Sequence, residues 1–83
     1  MFQTEQNRIY LEDGDGRLLA EITFPETALG VYTVDHTFVD SSLRGQGIAS
    51  KLVQAAIDEI QRRRGDEVRA TCSYAAKWLS ERG

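Results

Sequence analysis

Ile48, Leu52, Ala56 and Ile60 recur every four residues through the middle of this chain, and Val53 and Ile57 widen them into a stripe. Apolar residues at that period mark one face of an α-helix, here broad enough to pack on a sheet. The helix is expected over residues 47–64, with Gly65 just beyond it in the position favoured for a left-handed cap. Arg62, Arg63 and Arg64 fall at its end, where cations complement the helix dipole and read as a solvated terminus. With 83 residues in all, the sheet that covers this stripe has to come from the short segments on either side.

Those segments carry strand signals. Residues 7–12 are rich in sheet-forming types, and Asp13-Gly14-Asp15-Gly16 supplies the positive backbone angles of a tight hairpin. In residues 17–24 the set Leu18, Ala20, Ile22 and Phe24 is uniformly apolar and should face the core, opposite Leu19, Glu21 and Thr23. Pro25 ends that strand because it has no N–H for the ladder, and residues 26–30 turn into a third. The third strand, residues 31–39, puts Tyr32, Val34, His36 and Phe38 on one face and Val31, Thr33, Asp35, Thr37 and Val39 on the other. After the helix, residues 67–72 read as a fourth strand and residues 74–82 as a short helix with Ala75, Trp78 and Leu79 turned inward.

The order is β-β-β-α-β-α, an α+β fold. Three strands form an antiparallel meander, and a right-handed crossover sets the fourth strand parallel beside the third, with helices packed on the sheet. The length fits one domain over residues 1–83 with one modest core, for which a homodimer partner or a bound ligand would add stability. A net charge of −3, from 13 acidic and 10 basic residues, argues against a nucleic-acid partner. Cys72 is the single cysteine, so no internal disulfide forms, and one cysteine with one histidine leaves no basis for a metal site. No signal-peptide pattern opens the chain and no apolar run approaches the roughly 20 residues that span a bilayer. A cytoplasmic protein with no membrane partner is expected.

Between the third strand and the helix lies Arg44-Gly45-Gln46-Gly47-Ile48-Ala49. Two glycines one residue apart, directly before a helix, allow a sharp bend that aims several N–H groups one way. The helix dipole and Arg44 add positive charge, and Ser50 offers a hydroxyl in the first helical turn. An anion is the expected ligand; glycines serving only to bend the chain are the plainer alternative. A P-loop would need four residues between its glycines and a Gly-Lys-Ser/Thr end. A dinucleotide fold would need the turn directly after its strand and a longer chain, although Asp66 and Glu67 follow at a fitting distance.

The same six residues match the Arg/Gln-x-x-Gly-x-Gly/Ala signature of the GNAT superfamily of N-acetyltransferases, which residues 34–51 resemble in their strand, loop and helix. His36-Thr37 before the loop and Cys72-Ser73-Tyr74 after the fourth strand resemble a subfamily of very small GNAT-like proteins, over essentially the whole chain. The resemblance implies acetyl-CoA as donor and an amine as acceptor. It assigns the pyrophosphate of coenzyme A to Arg44, Gly45, Gln46, Gly47, Ile48 and Ala49, with Ser50 close by. It assigns the pantetheine arm to the backbone around Phe38 and Val39, with the thioester near Cys72. Fuller superfamily members carry further helices and strands that help to build the acceptor site; here the cofactor half is present and the acceptor half is minimal.

Acetyl transfer needs a deprotonated amine, a polarised thioester and an acid for the departing thiolate. Tyr74, two residues past Cys72, stands where the superfamily often has that acid, though a packed ring at a helix start is the plainer account. Cys72 ends a strand before a helix N-terminus, a place that lowers a thiol pKa; it is either a nucleophile, a wall of the active site, or a small buried hydrophobe. His36 is the candidate general base against a default of a satisfied core or interface histidine. Three functions follow: a small N-acetyltransferase, an acyl-CoA-binding module or sensor with little turnover, or an interaction domain that keeps only the scaffold.

Overall fold

The computed structural model describes residues 2–82. Among these residues seven strands and two helices follow one another as β1 (Gln3–Thr4), β2 (Arg8–Glu12), β3 (Leu18–Thr23), β4 (Glu26–Ala28), β5 (Val31–Val34), β6 (His36–Val39), α1 (Ile48–Arg62), β7 (Glu67–Ala70) and α2 (Ser73–Arg82), with a 3-10 turn at Ser41–Leu43. They make two sheets, one in the order β1-β2-β3-β6 and one in the order β4-β5-β7. The α+β class, the β2–β3 hairpin and the parallel crossover all agree with the sequence reading. The two small strands β1 and β4 add to it.

The β2–β3 hairpin closes around Asp13. Its backbone accepts from Gly16 N–H at 3.1 Å and donates to the Arg17 carbonyl at 3.0 Å, while its carboxylate accepts from the N–H groups of Asp15 and Arg17. From that hairpin Ile9, Ala20, Ile22 and Phe24 are buried against Leu52, Val53, Ala56 and Ile60 of α1, the stripe read from the sequence. Truncating one such residue, as in Leu52→Ala, costs about 2–5 kcal/mol through lost transfer energy and the cavity left behind.

The expected third strand is broken at Asp35. Thr23 pairs in register with His36, and its carbonyl also accepts the Asp35 N–H at 3.3 Å, so two residues oppose one. That is a β-bulge, which bends a strand and re-aims its side chains. The Thr23 hydroxyl bonds the Asp35 carboxylate and holds the bend. Before the break, β5 pairs antiparallel with β4 and parallel with β7; after it, β6 pairs with β3 in the other sheet. The face expected to run from Tyr32 and Val34 to His36 is therefore interrupted: Tyr32, Thr33 and Val34 are all buried, whereas His36 is exposed. A core histidine at position 36 is thereby corrected to a surface one.

The end of α1 also differs from expectation in one residue. Arg64, not Gly65, takes the left-handed conformation (φ 61°). Arg64 N–H donates to the Gln61 carbonyl and Gly65 N–H to that of Ile60, both at 2.9 Å, which is the paired closure of a Schellman motif. Gly65 is needed for space. A Cβ there would lie 2.6 Å from Ile60 Cγ2 and 3.0 Å from the Tyr32 ring. Arg63 is not a solvated terminus either: it bonds Glu59 and the Gln6 and Glu5 carbonyls and stands over the Phe24 ring, tying the helix end to the β1–β2 connection.

Candidate functional site

The break at Asp35 makes the site. Because β6 belongs to one sheet and β7 to the other, the ladder beside β5 ends at Val34 and Ala70, and β6 and β7 diverge beyond it. On its closed side β6 pairs with β3, and Asp40 N–H donates to the Leu19 carbonyl at 2.7 Å. Antiparallel ladders alternate, so the backbone groups of Phe38 and His36 also point toward β3, and those of Thr37 and Val39 point into the opening.

At one end of this open edge the chain turns into α1. Gly45 and Gly47 both have left-handed backbones (φ 82° and 69°), and Gly47 is the N-cap with no side-chain hydrogen bond at the cap. Lys51 N–H is bonded to the Gly47 carbonyl at 3.1 Å, so the N–H groups of Ile48, Ala49 and Ser50 precede the helical ladder. A Cβ on Gly45 or Gly47 would meet no atom within 4 Å. The turn is held from behind by Asp40, whose carboxylate accepts from the Ser42 hydroxyl at 2.6 Å, the Ser42 N–H at 3.0 Å and Arg17 Nη2 at 3.0 Å. These donors keep Asp40 below the usual carboxylate range, the Ser42 bonds foremost.

An open cleft of about 210 Å³ lies over the turn. Val39 and Leu43 line it, with Arg44, Gly45 and Gly47 from the turn, Ile48, Ala49 and Ser50 from α1, and Tyr74 from α2. Of the pyrophosphate residues expected from sequence, only Gln46 does not line this cleft. The two helices meet at its rim, where Trp78 Nε1–H donates to Ser50 Oγ at 2.9 Å. Ser50 keeps its own hydroxyl proton for another acceptor.

Cys72 stands at the diverging end. Ala76 N–H donates to its carbonyl at 2.9 Å, which makes Cys72 the N-cap of α2. Its thiol reaches Thr37 Oγ1 at 3.6 Å. Burial pushes the Cys72 thiol up, but the N–H groups of Ala75, Tyr74 and Thr37 and the Thr37 hydroxyl prevail, so its pKa falls below the ordinary thiol value. A thiolate formed here would meet the same donors as an N-cap carboxylate.

His36 and Phe38 leave β6 on the other face. In register, His36 pairs with Thr23 and Phe38 with Glu21, whereas Thr37 pairs with Ile22 and Val39 with Ala20 on the core face. His36 Nε2 lies 3.7 Å from Glu21 Oε1, and the other oxygen of that carboxylate is 2.8 Å from Arg8 Nε, a charge pair poorly aligned for a hydrogen bond. The structure therefore gathers the glycine turn, Ser50, Val39 and Tyr74 around one cleft, sets Cys72 outside its lining beside Thr37, and turns His36 and Phe38 to the other face of β6. Sequence reasoning missed Thr37 and Leu43 as site residues, and Glu21 as the partner of His36. Once Asp35 is a bulge, Thr37 and Val39 share the open edge, but only the structure shows the bulge.

A glycine-opened helix N-terminus with no side-chain cap, beside a strand edge at a split between two sheets, has a geometry suited to an extended ligand with an anionic group. The GCN5-related N-acetyltransferase family model matches residues 8–83, and the chain belongs to that family. No curated protein matches it. Among solved structures, a GCN5-like protein of Staphylococcus aureus superposes with a TM-score of 0.79 at 29% identity, over 99% of this chain and 79% of that one. A ribosomal-protein-alanine N-acetyltransferase of Brucella melitensis gives 0.59 at 26% identity, over 81% of this chain and 51% of that one. A GNAT family N-acetyltransferase of Escherichia coli, solved in complex with CoA, shares the fold with a TM-score of 0.59 at 23% identity, over 66% of this chain and 33% of that one. Among the described residues no helix is long and apolar enough to cross a membrane.

Proposed function

We propose that this chain is a small N-acetyltransferase that moves acetyl from acetyl-CoA to an amine. The observation that carries the reading is the turn itself: two left-handed glycines with open space where a Cβ would stand, at a helix N-terminus with no side-chain cap. An uncapped N-terminus with free N–H groups binds anions. Arg44 and the N–H groups at residues 45–50 take the pyrophosphate, with the Ser50 hydroxyl as a further donor. The Val39 groups that point into the opening, with the Thr37 carbonyl, take the pantetheine amides as an added strand, and the thioester then lies toward Cys72 and Tyr74.

Acetyl-CoA supplies an activated acyl carbon. Tyr74 lines the cleft and is the acid that protonates the departing thiolate in direct transfer to the amine. In a two-step route the Cys72 thiolate attacks the carbonyl carbon, coenzyme A thiolate leaves and is protonated, and the amine then attacks the cysteinyl thioester, loses its proton and expels the Cys72 thiolate. His36, across the sheet, meets an acceptor that approaches from the face opposite α1.

Acetyl-CoA should raise the melting temperature, as any ligand of the native state does. No shift at millimolar acetyl-CoA ends the reading. Mass spectrometry of the protein and of candidate amines then separates the routes: an acetyl adduct on the protein that Cys72→Ala abolishes supports two steps, and undiminished turnover in Cys72→Ala supports direct transfer. The separation of His36 and Cys72 onto opposite faces of β6 favours, as second reading, an acyl-CoA-binding module. It predicts the melting shift with no acetylated amine.

A further inference from the structure

β7 closes its sheet on one side only. The order β4-β5-β7 leaves its far edge without a ladder. On the β5 side, Glu67 N–H donates to the Gly30 carbonyl at 3.1 Å and Thr71 N–H to that of Val34 at 3.0 Å. Backbone groups alternate along a strand, so those of Val68 and Ala70 point to the open edge. An edge of this kind is a template for another strand. Its side chains divide cleanly: Val68 and Ala70 pack into the core, while Glu67 and Arg69 are exposed on the other face.

A second copy of β7 answers that edge. Laid antiparallel with a two-fold axis through Val68, the two Val68 residues exchange both backbone bonds. Each Ala70 N–H then faces the Asp66 carbonyl of the other copy. Asp66 N–H is already bonded to the Gly30 carbonyl at 2.7 Å, so no donor is stranded there. Glu67 stands opposite Arg69 of the second copy, and Arg69 opposite its Glu67. Directly opposed unlike charges stabilise a cross-strand pair, and like charges oppose it. Moving the axis one residue, to Arg69, would set arginine against arginine. The charge pattern thus selects one register. Within the chain Arg69 already pairs with Glu67, but both side chains are about half exposed, and such a pair is weak on its own. Joining four charges across the axis uses the same residues better.

We propose that the free edge of β7 is a homodimer interface, paired antiparallel about Val68 and registered by Glu67 and Arg69, which makes one continuous sheet from the three-stranded sheets of two copies. The test is sedimentation velocity of the full chain from low micromolar to near-millimolar concentration. A concentration-dependent dimer is expected. Arg69→Glu and Glu67→Arg should each raise its dissociation constant on the order of tenfold, because both cross-strand pairs become repulsive. The double variant Glu67→Arg with Arg69→Glu should restore it. Hydrogen exchange should show Val68 and Ala70 amides slowing as the dimer forms. A chain that stays monomeric throughout overturns the proposal. So do single variants that dimerise as well as the parent, or a folded double variant that does not recover.

Discussion

At the C-terminal end of α1 a Cβ added to Gly65 would lie 2.6 Å from Ile60 Cγ2, and one added to Gly45 or Gly47 at the N-terminal end would meet no atom within 4 Å. The same residue type stands at both ends of the helix for different reasons. Gly65 is demanded by the core: the ring of Tyr32 and the side chain of Ile60 already fill the space. Gly45 and Gly47 are demanded by their positive φ and by nothing the protein itself packs there. One end of the helix is architecture, and the other is held open. Glycines with open space beside them, at a helix start, leave room for a ligand to approach the backbone closely.

The largest effect that would break this contrast is at the packed end. Gly65→Val forces overpacking against Ile60 and Tyr32 and should cost about 1–3 kcal/mol, read as a fall in denaturation midpoint. The rise in melting temperature given by acetyl-CoA should persist in this variant, since the cleft lies at the far end of α1. A variant as stable as the parent would show that the space at Gly65 is not closed.

The complementary substitution, Gly47→Ala, carries a smaller structural cost. An alanine held at φ near 69° loses about 1–2 kcal/mol. Its Cβ points into space that the protein leaves open, so the ligand should suffer most, and the acetyl-CoA shift should shrink well beyond the change in the unliganded protein. A Gly47→Ala protein with the full shift would mean that the turn is a bend and not a ligand cradle.

The sequence already separated these two ends in part. The stripe from Ile48 to Ile60 marked the helix, and the spacing of Gly45 and Gly47 marked the left-handed turn at its start, because local pattern and local chirality decide both. What it misassigned depended on contacts distant in sequence. Gly65 read as the left-handed cap because glycine is cheapest there, yet Tyr32 and Ile60 claim that residue and Arg64 takes the strain instead. Residues 31–39 read as one strand because alternation continues through Asp35. The bulge against Thr23 is a pairing with β3, and periodicity does not carry such pairings. His36 was placed on the wrong surface for the same reason.

Glu59 sharpens the account of the packed end. Its carboxylate accepts from Arg62 and Arg63, which hold its pKa down at about 2. Arg63 in turn ties α1 to the Gln6 carbonyl. Glu59→Gln should cost about 1 kcal/mol. A carboxylate with a lowered pKa stabilises the fold above its ordinary value and loses that contribution on acidification. The gap between parent and variant should thus be full above pH 4.5 and close as the pH falls through about 2. A gap that is flat across acid titration would remove the clamp from the account.

The smallest effect lies at the open end, in the ionisation of Cys72. Its thiolate gathers donors from two elements, the first turn of α2 and Thr37 of β6, so the thiol reports on whether the opening between β6 and β7 keeps its width. The rate of alkylation by iodoacetamide should rise through an inflection below that of the unfolded chain, because only the thiolate reacts. Thr37→Val removes the hydroxyl and keeps the volume. The inflection should move up in this variant, because one of the donors that lower it is lost. The linked stability follows the carboxylate sign: it is present above the ordinary thiol pKa and lost as the pH falls through the lowered one. An inflection unmoved by Thr37→Val would mean that α2 alone sets the thiol. In that case Cys72 belongs to the helix, and the strand edge that meets it is free to open around a ligand without changing its charge.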